Sequence, residues 1–200
     1  MKEYTRTDKL IDALNRRYVI QFGIMRARLK FDELHIMKLV KSLYDQLLEE
    51  TIEFYIALIR TEYEEETDSV LDMVEAEAFV MNLLTTANPV TEYIFDNEFH
   101  RKADKLIEAL LARYEDKDSI IDHHMKWLGR QMSQGALTVK DAILIKAYED
   151  LGVTMVRWVT AEDEKVCEEC RRLDGKVFRI KEVPDKPHFN CRCIVLPEDL

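Results

Sequence analysis

Gly152-Val153-Thr154-Met155-Val156-Arg157-Trp158-Val159-Thr160 is the stretch at which the chain changes character. Its β-branched and aromatic run is the first convincing strand in the sequence. Everything before it has helical periodicity. After it, Lys176-Val177-Phe178-Arg179-Ile180 follows the turn pair Asp174-Gly175 and reads as a second strand, and Cys191 to Leu196 as a third. The expected fold is mainly α. A multi-helix body over residues 1–152 precedes a small β-containing unit over residues 153–200, an α+β arrangement. Fewer than fifty residues cannot rest on a hydrophobic core alone, and a structural metal is one usual remedy.

Upstream, Leu10, Ile11, Leu14, Val19, Phe22, Met25 and Leu29 recur at helical spacing, predicting a first helix from Asp8 to about Lys30. Asp32 caps a second, reaching about Arg60 with Leu34, Met37, Leu39, Leu43, Leu47, Phe54 and Leu58 inward. A third spans about Thr67 to Thr86, before the breaker Asn88-Pro89, and a fourth about Val90 to Tyr114. Ser119-x-x-Asp122 and Thr138-x-x-Asp141 read as capping boxes opening a fifth and a sixth helix, closed by Gly135 and Gly152. Trp127, Tyr55, Phe54, Phe79 and Phe95 fall on apolar stripes and belong to core or interface.

The 200 residues carry a formal charge of -10, and the charge is unevenly placed. Residues 1–43 hold ten Lys/Arg against five Asp/Glu, whereas residues 44–77 hold one basic residue, Arg60, against twelve acidic ones. The acidic block reads as a solvated helix face. Wholesale electrostatic wrapping of nucleic acid is excluded, but the first helix, with Arg16, Arg17, Arg26, Arg28 and Lys30, is left as a basic surface. Met1 to Asp8 contain no apolar signal-peptide core, and no apolar run approaches the ~18 residues of a membrane span. A reducing cytosol is therefore expected, where clustered cysteines act as metal ligands or redox groups.

All four Cys fall late, as Cys167-x-x-Cys170, seventeen residues, then His188-x-x-Cys191-x-Cys193. Two short-spaced pairs joined by a loop are how tetrahedral zinc sites are commonly built. Cys191 and Cys193, two apart on an extended segment, face one side with Arg192 opposite. Five candidates compete for four places: Cys167, Cys170 and two of His188, Cys191 and Cys193 are the expected ligands of a closed, structural Zn2+ site. A redox pair made of Cys167 and Cys170 alone would want a βαβ context, which is absent.

The segment from Trp158 through Asp163, Cys167 and Cys170 to Leu173-Asp174-Gly175-Lys176-Val177-Phe178, closing on Pro187-His188-Phe189-Asn190-Cys191-Arg192-Cys193, closely resembles the C-terminal signature of the Mu F-like minor head proteins of tailed bacteriophages, also called head-morphogenesis proteins. The resemblance covers about a fifth of the chain. It implies a virion component, assembled in the bacterial host cytoplasm, that joins the phage head near the portal vertex and contacts portal, capsid or scaffold protein. In some relatives the protein accompanies packaged DNA. The family's Cys and His are regarded as metal ligands, in agreement with the spacing. Many members have a longer helical region, so portal or DNA contacts located there do not transfer.

No GxxxxGK, GxSxG, HExxH or GxGxxG occurs, and the chain is expected not to be an enzyme. Asp116-x-Asp118 fails as a calcium loop because Ile120 and Ile121 stand where a ligand and Gly belong. His123-His124 lacks an i,i+4 metal partner; Asp68, Asp72 and Glu75 share a helix face without a nucleophile or base. Asp174 suits turn formation. Two alternatives to assembly stay open: a zinc-dependent nuclease or transferase using Asp163 as acid or base, and a DNA-binding adaptor acting through the first helix.

Overall fold

A computed structural model of the chain describes residues 6–85, 98–161, 164, 166–188 and 191–198, without the side chains of residues 85, 98 and 99. Among the described residues there are six α-helices and one three-stranded sheet. The helical body comprises α1 (Arg6–Arg28), α2 (Glu33–Thr67), α3 (Met73–Thr85), α4 (Glu98–Ala112) and α5 (Lys117–Asp150). The C-terminal unit comprises β1 (Met155–Val159), α6 (Glu168–Leu173), β2 (Val177–Arg179) and β3 (Ile194–Pro197). Asn88-Pro89, Phe95 and the expected start of the fourth helix lie outside the described residues.

Helix α2 begins where a cap allows it: the Asp32 carboxylate accepts from the His35 N–H at 2.7 Å. It runs seven residues past the expected end at Arg60, because the glutamates that follow are good helix formers and nothing breaks them. Asp68 ends it in the left-handed region (φ 53°), its N–H donating to Glu64 O at 3.0 Å. That conformation also keeps α3 from starting at Thr67. Asp72 opens α3 instead, its carboxylate accepting from the N–H groups of Val74 (2.9 Å) and Glu75 (3.4 Å).

The expected fifth and sixth helices are one. Helix α5 runs unbroken for 34 residues through Gly135, Thr138 and Asp141, and it opens at Lys117 rather than at Ser119. Neither capping box forms. The Thr138 hydroxyl donates back to Gln134 O at 3.3 Å inside the helix, Asp122 pairs with Arg26, and Asp141 pairs with Lys186. A mid-helix Gly costs about 1 kcal/mol relative to Ala. Fully burying one aliphatic side chain contributes about 1.5–3 kcal/mol, and Met132, Val139 and Ile143 are all buried around the supposed break. Packing of the helix against its neighbours therefore overrides the local stop signal. Gly152, at φ 81°, does follow the end of this helix.

One cluster, including Tyr18, Phe22, Ile36, Leu47, Leu106 and Leu128, fills the space between α1, α2, α4 and α5. A second, with Tyr55, Leu58, Val80 and Ile143, joins α2, α3 and α5. Two residues expected inside are outside: Val19 is 54% and Leu34 60% exposed. Tyr18, one position before, and Ile36, two positions after, take their places, which phases α1 as Leu14, Tyr18, Phe22 and Met25. The acidic block is not wholly solvated either. Glu62 is buried, holding Lys140 of α5 at 2.6 Å and the Thr7 hydroxyl of α1, while Lys140 donates to Thr7 Oγ1 at 3.1 Å.

The sheet has the order β2-β1-β3, antiparallel throughout. Val156 and Trp158 point inward, and Val156 packs with Tyr148 and Ile180 against the end of α5. On the outer face Arg157 lies between Val177 and Leu196, and Val159 stands beside Ile194. Val177, Ile194 and Leu196 are all exposed.

Candidate metal centre

The turn before α6 places the first cysteine pair. Cys167 is the N-cap of this six-residue helix, its sulfur accepting from the Cys170 N–H at 3.3 Å. Cys170 is one helical turn on and faces inward. The second pair arrives from the other end of the unit. Cys191 and Cys193 are buried and Arg192 is exposed, the expected alternation, although β3 itself starts only at Ile194. Asp174 serves its expected turn role: its carboxylate accepts from the Thr160 N–H at 2.9 Å. Gly175, at φ 71°, donates its N–H to Trp158 O at 2.8 Å, closing the loop between β1 and β2.

All five expected ligands converge. Cys167, Cys170 and His188 form one group, and Cys170, Cys191 and Cys193 a second, with donor atoms in each within 4.8 Å of one another. Cys170 belongs to both. Its sulfur lies 3.4 Å from His188 Nε2 and 3.6 Å from the Cys191 sulfur. A disulfide would need about 2.05 Å, and all four thiols are free. By contrast, zinc–sulfur and zinc–nitrogen bonds of about 2.3 and 2.0–2.1 Å give tetrahedral edges of roughly 3.5–3.8 Å. Within each triad the spacing suits ligands around a small cation, while among the described residues no four of the donors all lie within 4.8 Å of one another.

The electrostatics agree with the donor set. Burial and the adjacent sulfurs push the Cys170 thiol well above its ordinary range, and burial raises Cys191. Cys167 is held below its ordinary value by the Cys170 N–H at its sulfur, with His188 contributing. Crowded, buried thiols resist ionising together unless a cation neutralises them. The Trp158 side chain packs among Cys170, Cys191 and Cys193, and its Nε1–H is buried without an acceptor among the described residues. A donor of this kind is what an ionised, metal-bound sulfur uses in its outer shell. Donor chemistry, spacing and orphan N–H together fit a metal ion.

A cavity of about 250 Å³ separates this centre from the helical body, lined by Trp158, His188, Cys193, Val195, Asp141 and Lys186 among others. The Asp141–Lys186 ion pair ties the loop bearing His188 to α5. Burial raises the Asp141 carboxyl despite its partner. Sequence reading missed this anchor because Thr138-x-x-Asp141 looked like a cap. The signal available was Lys186, two residues before a candidate ligand.

Other sequence-level candidates separate. Asp163, Phe189 and Asn190 lie outside the described residues. His123 and His124 form an edge-on ring pair 5.9 Å apart, with Tyr44 Oη 3.4 Å from His124 Nδ1. Asp68, Asp72 and Glu75 are divided among a helix end, a cap and an ion pair with Lys146. Of the expected basic residues on α1 and just beyond it, Arg26 is engaged by Asp118 and Asp122, whereas Arg16, Arg17, Arg28 and Lys30 are exposed. No helix among the described residues is long and apolar enough to cross a membrane.

Residues 105–196 match the model of the family described as "Phage Mu protein F like protein". The matched region contains all five converging side chains, the end of α4 and the whole of α5. No curated protein and no solved structure matches the chain significantly.

Proposed function

From a chain whose residues 105–196 belong to the phage Mu protein F-like family, we propose a non-enzymatic assembly component of a tailed-phage head, a minor capsid protein acting at or near the portal. The observation that carries the reading is the coincidence of the family match with the Cys/His centre. Zn2+ is the ion this donor set suits best, held by Cys167, Cys170 and two of His188, Cys191 and Cys193. Because such a centre forms only in the folded unit, its binding free energy is folding free energy. The role of the ion is structural: it fixes residues 153–200 as a rigid unit on a helical body of residues 1–152.

The docking surface in this reading is the outer face of the sheet, where Val177, Leu196 and Ile194 surround Arg157. Exposed apolar side chains around the Arg157–Glu198 ion pair on a stapled sheet make a preformed surface for a portal, capsid or scaffold subunit. Co-expression with the phage's portal, scaffold and capsid proteins tests it. The full chain is expected to co-purify with at least one of them. A Leu196→Glu variant that keeps its zinc is expected to lose that partner, and failure of the native chain to bind any of the three overturns the reading. Elemental analysis of Cys167→Ser tests the ligand set separately: bound zinc is lost and the C-terminal unit melts while helical circular dichroism persists.

Two other readings are separable. A DNA-adaptor role through the exposed cations of α1 requires DNA binding that weakens steeply with salt. A zinc nuclease or transferase requires turnover that disappears in Asp163→Ala with zinc retained.

A further inference from the structure

Among the described residues, seven of the thirteen exposed large apolar side chains fall on two patches of the helical body, and the patches carry opposite charge. The first is the outward face of α1. Val19 (54%), Ile20 (59%) and Ile24 are exposed there. On the helix, Ile20 and Ile24 are one turn apart, with Gly23 and Ala27 completing a low, smooth strip. Arg16, Arg17 and Arg28 border it, all exposed and none in an ion pair with the described residues. The second patch is the outward face of α3 and the loop before it. Val70 (67%), Met73, Val74 (72%) and Met81 are exposed, bordered by Asp68, Asp72 and Glu77.

We infer that copies of this chain associate head to tail, the basic apolar face of α1 in one copy seating on the acidic apolar face of α3 in the next. Each face leaves apolar side chains in water that a partner would cover, and each is bordered by charges of one sign, which disfavours pairing like with like. A partner for the basic face must be apolar with an acidic border, and the chain itself displays such a surface on a different helix. The interface is therefore heterologous. It repeats from copy to copy, closing into a ring or continuing as a filament according to the rotation between neighbours. Interleaved isoleucines distinguish the α1 face from a phosphate-tracking stripe, which would be more uniformly polar.

Sedimentation equilibrium on the purified full-length chain tests the inference. The average mass is expected to rise above 23.6 kDa with protein concentration, and less so at high salt. Two double variants, Arg17→Glu with Ile24→Asp and Val74→Lys with Glu77→Lys, change exposed positions only. Circular dichroism should match the native chain in both. Each variant alone is expected to associate at least about tenfold more weakly. Mixed in equal amounts, they are expected to pair one to one through their remaining native faces and to stop there. A native chain that stays at the monomer mass up to its solubility limit overturns the inference. So does a variant that still self-associates as the native chain does, which would place like faces together, or a mixture that forms no pair.

Discussion

Glu62 sits in the most acidic stretch of the chain, yet it is the residue of that stretch the fold can least spare. Its carboxylate faces Lys140 and the Thr7 hydroxyl with 3% of the residue exposed, linking α1, α2 and α5. Removing one member of a buried pair leaves the other charge uncompensated, at a cost of about 2–4 kcal/mol where one partner is partly solvated. Lys140→Met should lower the midpoint of urea unfolding accordingly, and the double variant with Glu62→Leu should recover much of the loss. His124 gives a pH dependence. Burial, with His123, Lys102 and Lys105 nearby, lowers its pKa to about 4. The unfolded chain then binds the extra proton between about pH 6.5 and 4, so stability falls as pH falls through that window. The slope of unfolding free energy against pH should flatten there in His124→Gln.

Among the elements, α5 is where local and tertiary signals disagree. Thr138→Ala decides between them. An N-cap would lose about 1 kcal/mol on that change, whereas a mid-helix Thr bonded to its own Gln134 carbonyl is expected to be within ~0.5 kcal/mol of neutral or slightly stabilised. The urea midpoint reads the difference. The existence of α1 and α2, the Asp32 cap, the position of β1 and the approach of five Cys and His side chains to one another were all legible from spacing, because short-range chemistry specifies them. The joining of two helices across Gly135 was not. It follows from what Met132, Val139 and Ile143 bury against, which no window of the sequence contains. The inward turn of Glu62 was hidden for the same reason, since its partners stand 55 and 78 residues away.

For the whole molecule, the proposed division between body and C-terminal unit predicts two unfolding events. The body has its own apolar clusters, whereas Trp158 packs against cysteines. A strong chelator should expose Trp158 while α1 to α5 stay folded. In a Trp127→Phe background the emission of Trp158 should shift to the red on chelation with little change in far-ultraviolet circular dichroism. Loss of the helical signal in step with that shift would mean the ion supports the entire chain.

The unbroken course of α5 has a mechanical consequence. At 1.5 Å per residue its 34 residues form a rod on the order of 50 Å long. One end is clamped between the other helices. The other carries Tyr148 into the packing beneath the sheet, and partway along, Asp141 grips the loop of His188. A rod fixed at both ends does not hinge. Force applied to the sheet by whatever it touches is delivered as bending load to the far side of the body, so the molecule behaves as a strut rather than as two beads on a string.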